Sequence, residues 1–537
     1  MEEPAALRAP IRVLVEMRSL GGLRYFKSTV EELVARGHRV TVIVEDPSKH
    51  GPIEQAWVDG MSAHPNFGYE TRPRYRKDRW HRRALRLRAA LEYLHYLRPE
   101  YSGRPRYARK ALRRSPPELV RCVAALPVLG SGFARAASYR ILAAIERALP
   151  LPAEPQADLR RLHPDVLVIA DFGSRASQRT PFVRTAVAEG IPTVLAIGSW
   201  DNLTTRPPMH VTPHVVTVWN EAQREEAVHV HGVPPDRVRV LGAPNFDQWF
   251  TWRPRPRAFF LERVGLDPTK PVILWVGSAL NQWEVPEPSF FERWLAAVRS
   301  SGDRMLEQAG VLVRPHPLRT EHWDGSGFSR YDNVALWPRR DAAMPIDDEQ
   351  SSDYFDSIYH AAVVVGINTS AMIEASIVGR PILSVVEPTY FDSQHGAIHF
   401  AHLLEQGQGA LRLAPTMEEH FVDLGRHLHG EDELRTAEVL RSFVERFVRP
   451  NGIDRPVTPL VVDTLEEIAE LGPEPEPEPW HVRAIRLAIT AAFLPFGRRK
   501  LVKRMRKLPR RYAAAAYRRL RRIPPALVET PGPEPQD

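Results

Sequence analysis

Short apolar runs alternate with helical patterns along much of the chain. Residues 11–15 and 40–44 are β-branched apolar runs, and residues 25–36 between them carry apolar side chains at helical spacing. This order predicts a strand–helix–strand unit with parallel strands. The same alternation continues further along, with strands predicted at residues 165–170, 193–197, 215–218 and 238–241 and helices at 181–189 and 221–231.

A second alternating block follows a stretch rich in Pro and Arg at residues 253–256. Its predicted strands are 272–276, 311–313, 334–336, 363–365 and 382–386, and its predicted helices are 290–299, 353–360 and 370–378. Short apolar strands between amphipathic helices are typical of parallel sheets covered on both faces. The predicted fold class is therefore α/β, with two facing Rossmann-like domains and ligands at the carboxyl ends of the strands.

The pattern divides the 537 residues into four parts. We expect an N-terminal Rossmann-like domain at 1–252, interrupted by a basic helical insert at about 65–160, and a second Rossmann-like domain at 253–450. A helix is expected at 451–471, and residues 472–537 combine a Pro/Glu linker with a basic amphipathic tail.

The positive charge is concentrated in two segments. The chain has 73 Lys and Arg against 65 Asp and Glu, but residues 72–114 hold 16 basic and three acidic residues, and residues 497–523 hold 13 basic and no acidic ones. Basic residues interleaved with bulky apolar ones in the tail are typical of a helix lying on anionic lipid. A solvated tail, a subunit contact and RNA binding are the alternatives.

Other features of the sequence indicate the cellular compartment of the protein. The single cysteine, Cys122, excludes an internal disulfide framework. The N-terminus lacks the basic and apolar regions of a signal peptide, and the longest uncharged stretch, residues 357–373, is too short to span a bilayer. We expect a cytoplasmic protein that is peripheral at the inner face of the plasma membrane.

The second block offers candidate anion-binding residues without a metal site. Asp-x-Asp is absent from the chain, so we expect no metal and no cofactor, with phosphates held by backbone amides and Arg. Thr369 and Ser370 are helix N-cap residues, and Glu374 follows one turn later, where it can accept hydrogen bonds from a ribose diol. An ordinary capped helix with a surface Glu would show the same pattern.

Two further strand ends add polar residues to this set. Arg314 and His316 alternate with prolines after the 311–313 strand, which presents them rigidly, and Ser278 follows a glycine after the 272–276 strand. An Arg there can neutralise a diphosphate, and a His can donate a proton or a hydrogen bond to it.

In the first block the polar residues follow the strand at 193–197. Asp201 stands beside Trp200 and Asn202, and an Asp next to Trp in a cleft can have a raised pKa and act as a base. Gly22 and Arg24 are expected at the edge of the same cleft, where they can contact an acceptor.

At these residues the sequence resembles the GT-B superfamily of nucleotide-sugar enzymes, within it the bacterial surface-carbohydrate and CDP-glycerol glycerophosphotransferase-like branch. The matching segments are Ser-Trp-Asp-Asn-Leu-Thr-Thr at 199–205, Val-Leu-Gly-Ala-Pro-Asn-Phe-Asp at 240–247, Arg-Pro-His-Pro at 314–317, Asn-Thr-Ser-Ala-Met-Ile-Glu at 368–374 with Gly-Arg-Pro at 379–381, and Phe-Val-Arg-Pro-Asn-Gly at 447–452.

The resemblance implies a nucleotide-sugar donor, as substrate, held by the second domain. By analogy Glu374 binds the ribose, Thr369 and Ser370 bind the diphosphate, and Arg314 or His316 binds the phosphate or leaving group. The acceptor, a glycan or lipid-linked molecule, enters from the first domain near Gly22 and Asp201. A helix at 464–471 crosses back onto the first domain.

One departure from the branch favours glycosyl transfer. CDP-glycerol polymerases carry His-Gly where this chain has Trp200-Asp201, so Asp201 becomes the candidate base. The prediction is a metal-independent glycosyltransferase that builds an envelope polysaccharide or glycolipid. The alternatives are a UDP-N-acetylglucosamine 2-epimerase-like isomerase, a glycerol- or ribitol-phosphate transferase, and a nucleic-acid or membrane-surface binding protein with a decayed enzyme core.

Overall fold

The computed structural model describes residues 9–45, 51–72, 78, 80–114, 132–170, 179–279, 285–317, 319–323, 327–338, 348–431, 433–472 and 478–492. They divide into two compact units. One is drawn from Met1–Arg76 and Leu151–Glu476, and the other from Lys77–Pro150 and Pro477–Asp537. The first unit contains both predicted Rossmann-like blocks.

The first block folds around a parallel sheet of seven described strands. They are β1 (Arg12–Met17), β2 (Arg39–Val44), β3 (Phe67–Thr71), β4 (Val166–Ala170), β5 (Thr193–Ala196), β6 (Val215–Val218) and β7 (Val238–Val240). Their order in the sheet is β3-β2-β1-β4-β5-β6-β7, so the order reverses at β1. In such sheets, ligands bind in the crevice beyond the carboxyl ends of the strands next to the reversal.

Alternation along each strand sends side chains to both faces of this sheet. From β1, Val13 and Val15 pack on one side with helix α1 (Leu23–Ala35), while Leu14 packs on the other with Phe182. Both faces are therefore covered. The other described helices of this block are α2 (Pro52–Met61), α3 (Ala153–Leu162), α4 (Arg179–Ala188), α5 (Asn202–Thr205) and α6 (Glu221–Glu225).

The second block has six described parallel strands. They are β8 (Val272–Val276), β9 (Gly310–Arg314), β10 (Val334–Leu336), β11 (Val363–Gly366), β12 (Ile382–Val385) and β13 (Leu411–Ala414), in the order β10-β9-β8-β11-β12-β13. The described helices around it are α7 (Arg257–Val264), α8 (Glu287–Val298), α9 (Arg304–Gln308), α10 (Asp348–Tyr359), α11 (Ala371–Ile377), α12 (Met417–Leu428) and α13 (Glu433–Phe447). The α/β fold class with two Rossmann-like domains is confirmed.

The last helix of the first unit, α14 (Val457–Leu471), packs on the first block. Val461 and Leu465 join the core formed with α1, and Arg36 at the end of α1 contacts Asp463 at 2.6 Å and Glu466 at 3.1 Å. The chain thus returns from the second sheet to the first.

Two of the segments that carry the family resemblance meet where the chain returns. The Ala243 N–H donates to the Val448 carbonyl oxygen at 2.9 Å, and Arg449 pairs with Asp247 at 2.7 Å. The same Asp247 carboxylate accepts the backbone N–H of Val457, the first residue of α14. These segments, at 240–247 and 447–452, therefore build the connection between the two blocks.

The expected insert at about 65–160 has different limits in the structure. Strand β3, within this range, pairs with β2, and α3 is tied to it because Arg161 donates to the Glu70 carboxylate at 2.7 Å. The described helices of the second unit are α15 (His81–His95), α16 (Pro105–Arg114), α17 (Gly132–Ala148) and α18 (Trp480–Ala492). None of the described helices is long and apolar enough to span a membrane.

Candidate functional site

The donor half of the candidate site joins three elements of the second block. Arg314 ends β9 and donates from Nη1 to the Ser357 hydroxyl at 2.8 Å. Its guanidinium lies 4.9 Å from the centre of the Tyr354 ring, and the Tyr354 hydroxyl donates to the Glu374 carboxylate on α11. The structure thus brings together Arg314 and Glu374, which the sequence singled out, through Tyr354, which it did not.

Burial changes the charge state of this group. It raises the pKa of Glu374 to about 7, against the opposing effects of Tyr354, Arg314 and Arg24. It also lowers the pKa of Arg314 to about 10, which still leaves the guanidinium charged at neutral pH. Glu374 therefore titrates near neutrality, where a change of ligand or pH alters its charge.

Arg24 brings a cation from the first block to the same place. It is the second residue of α1, and its guanidinium lies 4.5 Å from the Tyr25 ring centre. Its charge lowers the pKa of both Glu374 and His316. With burial as the main cause, the pKa of His316 falls to about 4, so this imidazole is neutral at physiological pH.

Ser278 lies beside the end of β9 because the strand ends approach closely. The Gly277 N–H donates to the Arg314 carbonyl oxygen at 2.8 Å, and a Cβ on Gly277 would lie 2.9 Å from the backbone nitrogen of His316. The Ser278 hydroxyl is buried and has no hydrogen-bond partner within the described part of the chain. It is therefore a polar group at the strand ends that a ligand can satisfy.

Glu287 supports this turn from α8. Its carboxyl accepts the Ser278 N–H at 2.9 Å and the Trp275 indole N–H at 3.2 Å. Burial raises the pKa of Glu287 to about 8. The group is thus mostly uncharged at neutral pH and fixes the backbone that presents Ser278.

The N-terminus of α11 differs from the expected arrangement of free amides. The Met372 and Ile373 N–H groups donate to the carbonyl oxygens of Thr369 and Ser370, and the Ala371 N–H points to the Thr369 hydroxyl at 3.4 Å. The short helix tightens its first turn in this way, so these amides are already paired. The side chain of Ser370 is exposed.

Asp201 is held more tightly than expected. Its carboxylate accepts from the Ser199 hydroxyl at 2.7 Å, the Thr205 hydroxyl at 3.1 Å and the Asn202 amide at 3.3 Å. Burial favours the protonated acid, but the charges of His399 and Arg206 outweigh it and lower the pKa of Asp201. The hydrogen bonds from Ser199 and Thr205 act in the same direction. The expectation of a raised pKa is wrong, because the neighbours of Asp201 stabilise the carboxylate.

The other residues of the first block that were predicted to bind the acceptor lie in two places. Gly22 directly precedes α1, next to Arg24. Trp200 and Asn202 are only 4% and 3% exposed, and Trp200 packs in the core shared with the second block. Gly22 and Arg24 therefore offer surface to a ligand, whereas Trp200 and Asn202 shape the loop around Asp201.

A set of contacts between acids and histidines of the two blocks was not predicted from the sequence. The His399 ring packs edge-on against Trp200 with centres 4.7 Å apart, and His402 contacts Glu226 at 2.7 Å. Burial raises the pKa of Glu226, and the charge of Asp201 raises it further. These residues lie on three separate segments, so only the packing of the two blocks brings them together.

Among the described residues, no group of three or more His, Cys, Asp or Glu side chains is placed to hold a metal ion.

Comparison with known proteins gives a similarity in fold. No protein-family model matches the sequence, and no curated protein matches it. The glycosyltransferase from Rickettsia africae ESF-5 is 8% identical with a TM-score of 0.48, over 86% of this chain and 98% of that one. The UDP-GlcNAc 2-epimerase from Neisseria meningitidis, solved with UDP-GlcNAc bound, is 10% identical with a TM-score of 0.44, over 86% and 100%.

A third solved structure, the wall teichoic acid polymerase TagF, is 11% identical with a TM-score of 0.43, over 87% of this chain and 90% of that one. These neighbours are GT-B-type enzymes, the superfamily that the sequence resembles. At such identities the likeness concerns the fold alone.

Proposed function

We propose that the chain is a GT-B-type glycosyltransferase that moves a sugar from a nucleotide-sugar donor to an envelope polysaccharide or a lipid-linked acceptor. The observation that carries the proposal is the cluster of Arg24, Arg314 and Glu374 beside the ends of β9 and β11. A carboxylate suits a ribose diol, and guanidinium groups suit a diphosphate.

The same residues account for the transfer step. The acceptor hydroxyl attacks the anomeric carbon, the bond from this carbon to the diphosphate oxygen breaks, and negative charge develops on the leaving diphosphate. Arg314 and Arg24 stabilise that charge, and neutral His316 and the Ser278 hydroxyl donate hydrogen bonds to it. We expect the hydroxyl groups of Thr369 and Ser370, at the start of α11, to contact the phosphates of the donor.

The proton of the acceptor hydroxyl also needs a destination. Asp201 is the proposed acceptor of this proton, because its lowered pKa keeps it ionised at neutral pH. Its three hydrogen bonds make it a weak base. An Asp201→Asn variant that keeps donor binding and loses turnover supports this role, and undiminished turnover contradicts it.

Calorimetric titration with UDP-, GDP-, TDP- and CDP-linked sugars tests donor binding. We expect one class of donor to bind, and Glu374→Gln to weaken this binding at least tenfold. Glu418→Gln, an exposed position on α12, is the matched control and leaves it unchanged. Absence of binding by all donors to folded protein contradicts the proposal.

NMR of the bound donor without acceptor separates transfer from isomerisation. A transferase leaves the sugar nucleotide intact under these conditions. Conversion of UDP-N-acetylglucosamine to its 2-epimer would establish the isomerase alternative instead.

A further inference from the structure

Helices α15, α16 and α17 form one compact unit with helix α18. Trp80 and Leu149 from residues 77–150 pack with Ile489 of α18, and Val482 of α18 is buried. The Arg486 side chain donates to the Ala148 carbonyl oxygen at 3.2 Å. Helix α18 is therefore part of this unit, and deletion from Pro479 onward would open its core.

This unit concentrates positive charge. Residues 77–150 hold 17 Lys and Arg against five Asp and Glu, and residues 477–537 hold 15 against four. Within the described part, an ion pair between Arg88 and Glu146 is buried at 2.9 Å, while Arg140 and Arg483 are exposed. By sequence, the two stretches therefore carry net charges of +12 and +11.

Large apolar side chains are exposed on the same helices. Phe133 and Ile141 on α17 are 85% and 61% exposed, and Trp480 and Leu487 on α18 are 80% and 72% exposed. Trp480 and Leu487 are seven residues apart, so they share one face of α18, and Ala484 between them is exposed as well. Apolar side chains that adjoin one another on one helix face are typical of an interaction site.

We propose that this unit docks on an anionic lipid bilayer, with Phe133, Ile141, Trp480 and Leu487 entering the boundary between headgroups and acyl chains. The exposed Arg side chains supply the attraction to acidic headgroups. Lipid fits better than nucleic acid, because side chains such as Leu487 and Ile141 gain from an apolar phase and have no base edge or phosphate to recognise. The inference is independent of the proposed glycosyl transfer.

Sedimentation of the full chain with vesicles tests this docking. We expect binding to phosphatidylcholine vesicles that contain phosphatidylglycerol and not to phosphatidylcholine alone. The double variant Trp480→Ala, Leu487→Ala should lower the partition coefficient at least tenfold without unfolding, since both side chains are exposed. The control is Leu434→Ala, which changes a residue that is 90% exposed on α13 of the other unit.

A second readout places Trp480 at the bilayer. Brominated phosphatidylglycerol should quench part of the tryptophan emission, and Trp480→Phe should remove that part. The proposal is overturned if the anionic vesicles do not sediment the protein, if the double variant sediments like the parent, or if an RNA duplex binds while vesicles do not.

Discussion

Lowering the pH should weaken donor binding through Glu374. Burial raises the pKa of this carboxyl to about 7, so its charged form is a minority species in mildly acidic solution. In the proposed site the ribose diol donates to the carboxylate, and hydrogen bonds to a charged acceptor are stronger than those to a neutral one. Donor binding therefore favours the ionised form and releases a proton.

The magnitude follows from the pKa. A shift from 4.5 to about 7 corresponds to roughly 3 kcal/mol between the two protonation states. If only the ionised form binds, about 0.9 proton is released per donor at pH 6 and about 0.1 at pH 8. Affinity then falls by about tenfold for each pH unit below 7.

The pH dependence of the free energy of unfolding should also reflect the raised pKa of Glu374. The folded state binds more protons than the unfolded state between pH 4.5 and about 7 at Glu374. Its contribution to the free energy of unfolding is therefore largest below pH 4.5 and declines as the pH rises through 7.

Calorimetry in two buffers of different ionisation enthalpy measures the proton release directly. A sugar nucleotide is the suitable ligand, because its diphosphate does not titrate in this range. Glu374→Gln should abolish the release and flatten the pH dependence, while Glu418→Gln keeps both. Equal proton release by the parent and Glu374→Gln would refute the placement of the ribose at this residue.

Three other substitutions have expected outcomes. Asp247→Ala leaves Arg449 buried without its partner and should cost about 3–5 kcal/mol in urea unfolding, and a loss below about 1 kcal/mol contradicts the role of this pair. Gly198→Ala places a Cβ 3.0 Å from the ring of Tyr25, which follows Arg24 on α1. Donor affinity should therefore fall, with little change in melting temperature. Unchanged affinity means that α1 does not position the donor site. With the pKa of His316 at about 4, the pH–rate profile should show no step from this residue between pH 5 and 8. Loss of its hydrogen bond to the leaving diphosphate in His316→Asn should lower kcat by ~10²–10³-fold. A step near pH 6.5 that vanishes in the variant contradicts the buried state.

The regular strands of the fold were accessible from the sequence because burial on both faces leaves an unbroken apolar run. Val272–Val276 is such a run, and the structure has a strand there with the same limits. Strand β3 was missed because Phe67–Thr71 is a short segment at the sheet edge, with a glycine and polar residues that need no apolar pattern. Its presence depends on pairing with β2, which a local pattern does not encode.

The candidate site was only partly accessible for a related reason. Arg314 is the last residue of β9 and Glu374 lies in the first turn of the helix after β11, so chain order alone predicts a common edge. Tyr354 lies on a helix far from either motif, and its contact with Glu374 follows from the packing of α10 against α11. The pKa of Asp201 likewise depends on His399, which reaches it from the other block.

The roles of the two domains, Rossmann-like acceptor domain and nucleotide-donor domain, remain predictions, as does the absence of a metal. The predicted tail beyond residue 492 lies outside the described residues.

A crystal structure with the bound sugar nucleotide tests the central claim most directly. We expect the ribose hydroxyls within hydrogen-bond distance of the Glu374 carboxylate and the diphosphate between Arg314, Ser278 and Arg24. A nucleotide bound away from the ends of β8, β9 and β11, with Glu374 still paired only to Tyr354, would contradict the proposed donor site.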